Sequence, residues 1–350
     1  IWLALSALTA ARDYRSIVLA FTLGYAISAG AALGLGKQLG VMGALLGFTL
    51  GQVVCLALLV ERVFLEFPAA GGAPAATGRP WPKYASLGLV GLLYHLGLWS
   101  EKILYWSLPS ALRAAGFFRT FPAYDTAILV AYLLTIPASA VLLVNLETNF
   151  YRHYRAFYRH ILRKGRDSEG RPPRGTFREI RQAKEGMVRA ARSGLVTLVK
   201  VQGMVAGFAV LLAPDLAGWI GLPSEHLPSM RLAILAASGQ VFVLYAVLLL
   251  LYVDARRQSL LVVLVFAGSN LGLSWWALLQ APGAYGLGYL LSTIATALVG
   301  AFSLNSVLTR LDYLTFMEQP LDQGPRRPSR PRAPAAWGVP SPDRVEEVAA

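Results

Sequence analysis

The sequence predicts an all-α fold, a polytopic helical membrane protein, and three features carry that reading. Of 350 residues, 55% are hydrophobic and only 15% charged, with a mean hydropathy of +0.51. The apolar residues gather in blocks of about twenty, the length at which a helix crosses a hydrocarbon core of about 30 Å. Lysine and arginine, which give the chain a net charge of +13, crowd into alternate connections between those blocks, the pattern expected where cytoplasmic loops keep positive charge.

In chain order the blocks predict one partial helix at 1–10 and full spans at 16–36, 39–60, 84–108, 126–146, 195–213, 232–253, 260–280 and 286–308. The basic connections hold Arg12 and Arg15, then Arg62, Arg79 and Lys83, then thirteen Lys plus Arg in 147–193, then Arg256 and Arg257, then Arg310 and the tail. The intervening ones hold only Lys37, then Arg113 and Arg119, then Arg231, then none. This alternation places the basic set and the C-terminus in the cytoplasm. The segment at 1–10 reads as the end of a span already under way, so the chain is expected to begin inside a longer protein. No basic-then-apolar leader precedes the spans, which must themselves direct insertion. A single cysteine, Cys55, rules out an intrachain disulfide and argues against a thiolate metal site.

The stretch FPAAGGAPAATGRPWPK at 67–83 has no apolar period and reads as a cytoplasmic linker. Residues 1–66 then form the C-terminal part of a first transmembrane bundle, and 84–316 a second bundle with a cytoplasmic loop at 147–193. Six spans follow the linker and three precede it, so the first bundle is incomplete. The Pro/Arg-rich tail at 317–350 is expected to be disordered and cytoplasmic.

The segment LETNFYRHYRAFYRHILRK at 146–164 combines three tyrosines, two phenylalanines, two histidines and five basic residues. At about 100° per residue, Phe150, Tyr151, Tyr154, Phe157, Tyr158, Ile161 and Leu162 share one arc, and Arg152, Arg155, Arg159 and Arg163 form a separate stripe. This is the pattern of an amphipathic helix lying in the membrane interface, with Tyr154 and Tyr158 in the headgroup layer and the arginines toward anionic lipid or a partner. Nucleic-acid binding would need rings and charges on one shared surface, so it is excluded. His153 and His160 fall on the polar side without a carboxylate or cysteine at ligand spacing, and read as solvated surface histidines rather than a metal site. After a Gly/Pro/charge-rich break, Thr176 and Glu179 form a capping box that starts a second cytoplasmic helix. Its apolar stripe of Phe177, Ile180, Met187 and Val188 suits the membrane, the first helix or a soluble partner equally.

Polar residues inside spans mark function, because burying them costs several kcal/mol, roughly, unless they meet a partner or water. On the 84–108 helix, Tyr94, His95, Trp99, Glu101, Lys102, Tyr105 and Trp106 share one face. Two readings stay open. The face lines a substrate pathway, with rings stacking on sugars and His95, Glu101 and Lys102 bonding to hydroxyls, or its outer part is an aromatic belt at the headgroups with Lys102 snorkelling. Elsewhere, Lys200 reads as a snorkelling lysine, Gln240 and Asn270 as hydrogen-bonding glue between helices, and Pro137 as a kink. The run GYAISAGAALGLG reads as a close-packing surface. Asp125 and Glu147 lie about 33 Å apart by helical rise, and no acid pair or nucleophile with a base suggests catalysis or a cofactor.

The stretch AYDTAILVAYLLTIPASAVLLVNLETNFYRHYRAFY at 123–158 resembles the region around the YD and ET-x-F motifs of the PelG family, the inner-membrane component of Pel exopolysaccharide export. LLLLYVDARRQ, AGSNLGLS, GAYGLGY and LDYLTF extend the resemblance over most of 84–316. It implies a polysaccharide-transporter and multidrug-exporter fold of about twelve helices in two bundles, a bacterial inner-membrane location, and a complex with PelD, PelE and the glycosyltransferase PelF. The motif residues Asp125, Glu147 and Asp254 read as structural. The expectation is therefore a non-enzymatic transporter that moves an amino-sugar polysaccharide chain outward between its bundles, with Tyr94, Trp99, Glu101, Tyr105 and Trp106 lining the way. A lipid-linked oligosaccharide flippase, an ion-coupled antiporter or a non-transporting glycosyltransferase scaffold are the alternatives.

Overall fold

A computed structural model describes residues 1–11, 13–67, 81–115, 118–163, 176–281 and 283–313. The predicted linker lies almost wholly outside the described residues, and the 317–350 tail entirely so. The chain divides into two compact units, Ile1–Arg79 and Pro80–Ala350. Among the described residues, six helices, one of which folds back on itself, are long and apolar enough to cross a membrane, so the chain is an all-α multi-pass membrane protein, with one short hairpin among the described residues.

The first unit contains α1 (Trp2–Ala11) and α2 (Tyr14–Glu66). Helical geometry persists along α2 except at Gly40, whose φ of 61° and ψ of −141° turn the chain back; a side chain there would be strained, and only glycine adopts the pair freely. The two predicted spans at 16–36 and 39–60 are thus the antiparallel arms of one hairpin, each about 39 Å long by helical rise. Small residues allow the arms to touch through their backbones: Gly47 lies against Ala31 and Ala32, and Gly51 against Gly24 and Ser28. A methyl group at Gly24 would meet the Cβ of Cys55 at 2.5 Å. This close approach is the packing that membrane helices use in place of a hydrophobic driving force, and it fits the Gly-rich run around Ser28. At the open end, Asp13 caps α2 by accepting from Ser16 N at 3.3 Å and pairs with Arg62 Nε at 2.5 Å, tying the two arms together.

The second unit begins with α3 (Trp81–Trp106), followed by a two-stranded antiparallel hairpin, β1 (Leu112–Ala115) and β2 (Phe118–Thr120). A long rod comes next, made of α4 (Pro122–Leu133), α5 (Ile136–Asn145), a π-helical turn (Leu146–Phe150) and α6 (Tyr151–Arg163). The break between α4 and α5 has a local cause. Pro137 has no N–H and its ring would clash with the carbonyl of Leu133, and the hydroxyl of Thr135 donates to Tyr132 O at 2.7 Å. Then follow α7 (Thr176–Leu211), α8 (Ala213–Trp219), α9 (Leu227–Tyr252), α10 (Arg256–Gln280) and α11 (Leu287–Thr309).

Helix α9 is buried nearly all round and packs on α4, α7, α10 and α11, while α3 packs on α10. Cross-helix bonds fix these neighbours, including Gln202 Nε2 to Ser238 Oγ at 2.8 Å between α7 and α9. Gly288 brings α11 onto the backbone of Leu273 and Ser274 in α10. Asp254, in the turn from α9 to α10, has a left-handed φ of 56° and bonds Arg256 Nε at 2.6 Å.

Two sequence expectations change. The helix predicted to start at Thr176 does start there, but it runs without a break into the following span as α7. The 146–164 helix is likewise continuous with its span and does not stand alone; its apolar arc is covered by α7 and α9. Phe150 and Phe157 are fully buried, as are Ile180 and Met187 on α7, and Phe150 and Tyr154 pack edge-on against Tyr252. Burying a side chain such as Phe157 contributes about 1.5–3 kcal/mol, so the two amphipathic faces satisfy each other. The histidines expected to be solvated sit at this seam. His153 packs on Gly186, and His160 Nδ1 lies 3.4 Å from Glu179.

Candidate functional site

Glu101 and Lys102, adjacent on α3, form a buried ion pair at 2.7 Å with side chains 0% and 9% exposed. Neighbouring helices complete their bonding. Asn270 of α10 donates to Glu101 Oε2 and to Gly97 O, each at 2.7 Å, and accepts from Ser274 at 3.0 Å. Lys102 Nζ also donates to Leu98 O at 2.7 Å and to the Tyr132 hydroxyl at 3.0 Å. The ammonium lies 5.0 Å from the Tyr132 ring centre and 5.8 Å from those of Trp99 and Tyr289, where ring quadrupoles favour a cation. An ion pair bonded on every side holds α3, α4 and α10 in one arrangement, because separating it would leave charges in a medium that cannot solvate them.

Two more residues of the predicted face also join helices. Tyr94 accepts from Gln240 of α9. Tyr105 accepts from Gly286 N at 3.1 Å and packs edge-on against Tyr124 and Tyr285. Gln240 and Asn270 are thus interhelical glue, as their positions suggested.

Trp99, Lys102 and Trp106 line a groove of about 400 Å³ between α3 and α4, with Leu98 on their side and Asp125, Ile128, Leu129 and Tyr132 opposite. Trp99 is 47% exposed and its ring meets that of Trp106 at 62°, with centres 5.9 Å apart. Asp125 fixes the rim. Its carboxylate accepts from Trp106 Nε1 at 3.0 Å, Thr120 Oγ1 at 2.7 Å and Phe121 N at 2.8 Å, so from the first turn of α4 it holds the backbone that enters the helix and orients the indole. The groove offers flat aromatic faces beside two charged groups that are already bonded.

A family model described as "PelG: Putative exopolysaccharide Exporter (EPS-E)" matches residues 1–316. The chain belongs to the PelG family. No curated protein and no solved structure matches it. Membership joins a multi-pass membrane fold to exopolysaccharide export, and it takes in the α2 hairpin as well as the second unit.

Within this PelG-family chain the seven predicted pathway residues separate into three groups. Trp99, Lys102 and Trp106 reach the groove. Tyr94, Glu101 and Tyr105 are buried behind it. His95 is exposed, bonds Gly91 O through Nδ1 at 2.8 Å, and takes no part in the groove wall. Neither an open lumen at Glu101 nor a snorkelling Lys102 describes the pair. Sequence reasoning passed over Asp125 and Tyr132 as site residues, although the YD motif and the third-turn tyrosine lie on the helix that faces α3. In the other predicted set, Arg152, Arg155 and Arg159 are exposed on α6, and Tyr154 and Tyr158 are half-buried. The side chain of Arg163 lies outside the described residues. Arg152, Arg155 and Arg159 are thus exposed beside half-buried tyrosines.

Proposed function

We propose that this chain is a non-enzymatic transporter of the bacterial inner membrane, with a cytoplasmic C-terminus, that moves a Pel-like amino-sugar exopolysaccharide outward for a biofilm matrix. The observation that carries the reading is the aromatic groove of Trp99, Trp106 and Tyr132 in a member of an exopolysaccharide-exporter family. Exposed indole and phenol faces match the apolar C–H faces of pyranose rings, and a lipid-facing wall needs no such cluster beside a bonded charge pair. Glu101, Tyr94 and Tyr105 act as supports that keep α3 fixed behind the groove. The exposed Arg152, Arg155 and Arg159 form the docking face for an acidic partner, with PelD, PelE and the glycosyltransferase PelF as the family's candidates and anionic headgroups nearest Arg152.

The test is polymer export in a strain lacking the gene and complemented at matched membrane expression. Wild type should restore secreted hexosamine polymer, Trp99→Ala should reduce it at least about tenfold with polymer retained in the cell, and Trp99→Phe should export. Equal secretion by the Trp99→Ala strain and wild type would remove the groove from the mechanism. Equal secretion without the gene would remove the function.

A further inference from the structure

The bonding around the groove bears on what it recognises. A site that reads substituents on a sugar needs free donors and acceptors aimed at them, and loss of one such bond in a closed site discriminates by orders of magnitude. Here the polar groups are already engaged. An ammonium has three N–H bonds, and those of Lys102 go to Leu98 O, Glu101 Oε1 and the Tyr132 hydroxyl. The Trp106 N–H goes to Asp125. The Asp125 carboxylate holds Thr120 Oγ1 and Phe121 N as well. Among the described residues, two donors in the groove lie outside these bonds: the indole N–H of Trp99 and the O–H of Tyr132, whose oxygen lies 3.4 Å from the Tyr289 hydroxyl behind the groove. What stays open is ring surface, that of Trp99 above all.

We infer that the α3–α4 groove binds hexopyranose chains by stacking on their ring faces and does not distinguish amino, N-acetylamino and hydroxyl substituents. This inference rests on the export reading and specifies its substrate contact. The charges are consistent with it. Lys102 is neutralised by Glu101, and the remaining negative charge of Asp125, partly exposed, favours an ammonium-bearing ring by no more than about fivefold. Such a surface suits a polymer in motion, because each ring leaves an equivalent place for the next and no substituent pattern acts as a stop. Selection of the polymer then resides in the enzyme that makes it.

The experiment titrates the full chain in lipid nanodiscs with three probes, the tetrasaccharides of glucosamine, N-acetylglucosamine and glucose, by saturation-transfer NMR. Affinities within about tenfold of one another are expected. Trp99→Ala should weaken all three by a common factor, and Trp99→Phe should restore them; Trp99 is half-exposed, so both variants are checked for wild-type melting. A hundredfold preference for one probe, no binding of any probe, or unchanged binding by Trp99→Ala overturns the inference. Export that needs Trp99 while the probes are discriminated leaves the function standing without the inference. Indiscriminate binding by a chain that exports nothing leaves the groove standing and removes the function.

Discussion

Replacing Lys102 by methionine isolates Glu101 inside the second unit. The carboxylate is 0% exposed and retains one side-chain donor, Asn270, so the loss is that of a buried pair broken from one side, about 3–5 kcal/mol. The opposite change, Glu101→Gln, is expected to cost less, about 1–3 kcal/mol. The ammonium keeps Leu98 O, the Tyr132 hydroxyl and three ring faces, and the glutamine oxygen still accepts a bond. Changing both, Glu101→Leu with Lys102→Met, removes the charges together and leaves one Asn270 donor unpaired, a loss of about 1–2 kcal/mol. The order of stabilities is therefore wild type, double variant and Glu101→Gln close together, then Lys102→Met. Unfolding free energies from SDS titration in mixed micelles give all four values. A double variant as unstable as Lys102→Met, or a Lys102→Met loss under about 0.5 kcal/mol, would refute the claim that the two charges are mutually dependent.

Further outcomes follow from other contacts. Gly47→Leu drives a side chain into the Ala31–Ala32 backbone and should cost about 3 kcal/mol, whereas Gly30→Ala, with open space around it, should be neutral or slightly stabilising; melting of the two variants compares them. Asp125→Ala removes the acceptor of Phe121 N, Thr120 Oγ1 and Trp106 Nε1 together and should cost about 2 kcal/mol, read as a lower unfolding midpoint. The Arg62 guanidinium, with Ser16 assisting, holds the Asp13 carboxyl below the usual carboxylate range. A lowered folded value means that its contribution is present above the unfolded value of about 3.9 and is lost as pH falls through the folded one. The acid dependence of melting below about pH 4 should therefore be weaker in Asp13→Asn than in wild type.

Much of the fold was legible because a membrane span is a local property, set by about twenty consecutive side chains. All eight full spans coincide with helical segments, including the two arms that Gly40 joins without a loop. What the sequence could not supply was the partner of each face. Periodicity placed Glu101, Lys102 and Tyr105 on one side of α3, but the side that faces a lumen and the side that faces Asn270, about 170 positions further on, look alike in a helical projection. The apolar arc of α6 was correct in composition; its cover, residues 180–191 of α7, is itself amphipathic, so either helix alone resembles a membrane-surface element. Asp125 and Tyr132 became groove residues only once α4 lay against α3, and the short β1–β2 hairpin left no usable period in its few residues.

The most direct measurement uses inverted membrane vesicles carrying this chain with the polymer-synthesising enzymes and supplied with a radiolabelled nucleotide sugar. If the chain moves polysaccharide outward, labelled polymer will accumulate inside the vesicles, protected from added glycosidase, in wild type and far less in Trp99→Ala. Polymer that remains wholly digestible outside the wild-type vesicles, at normal rates of synthesis, would contradict transport by this chain.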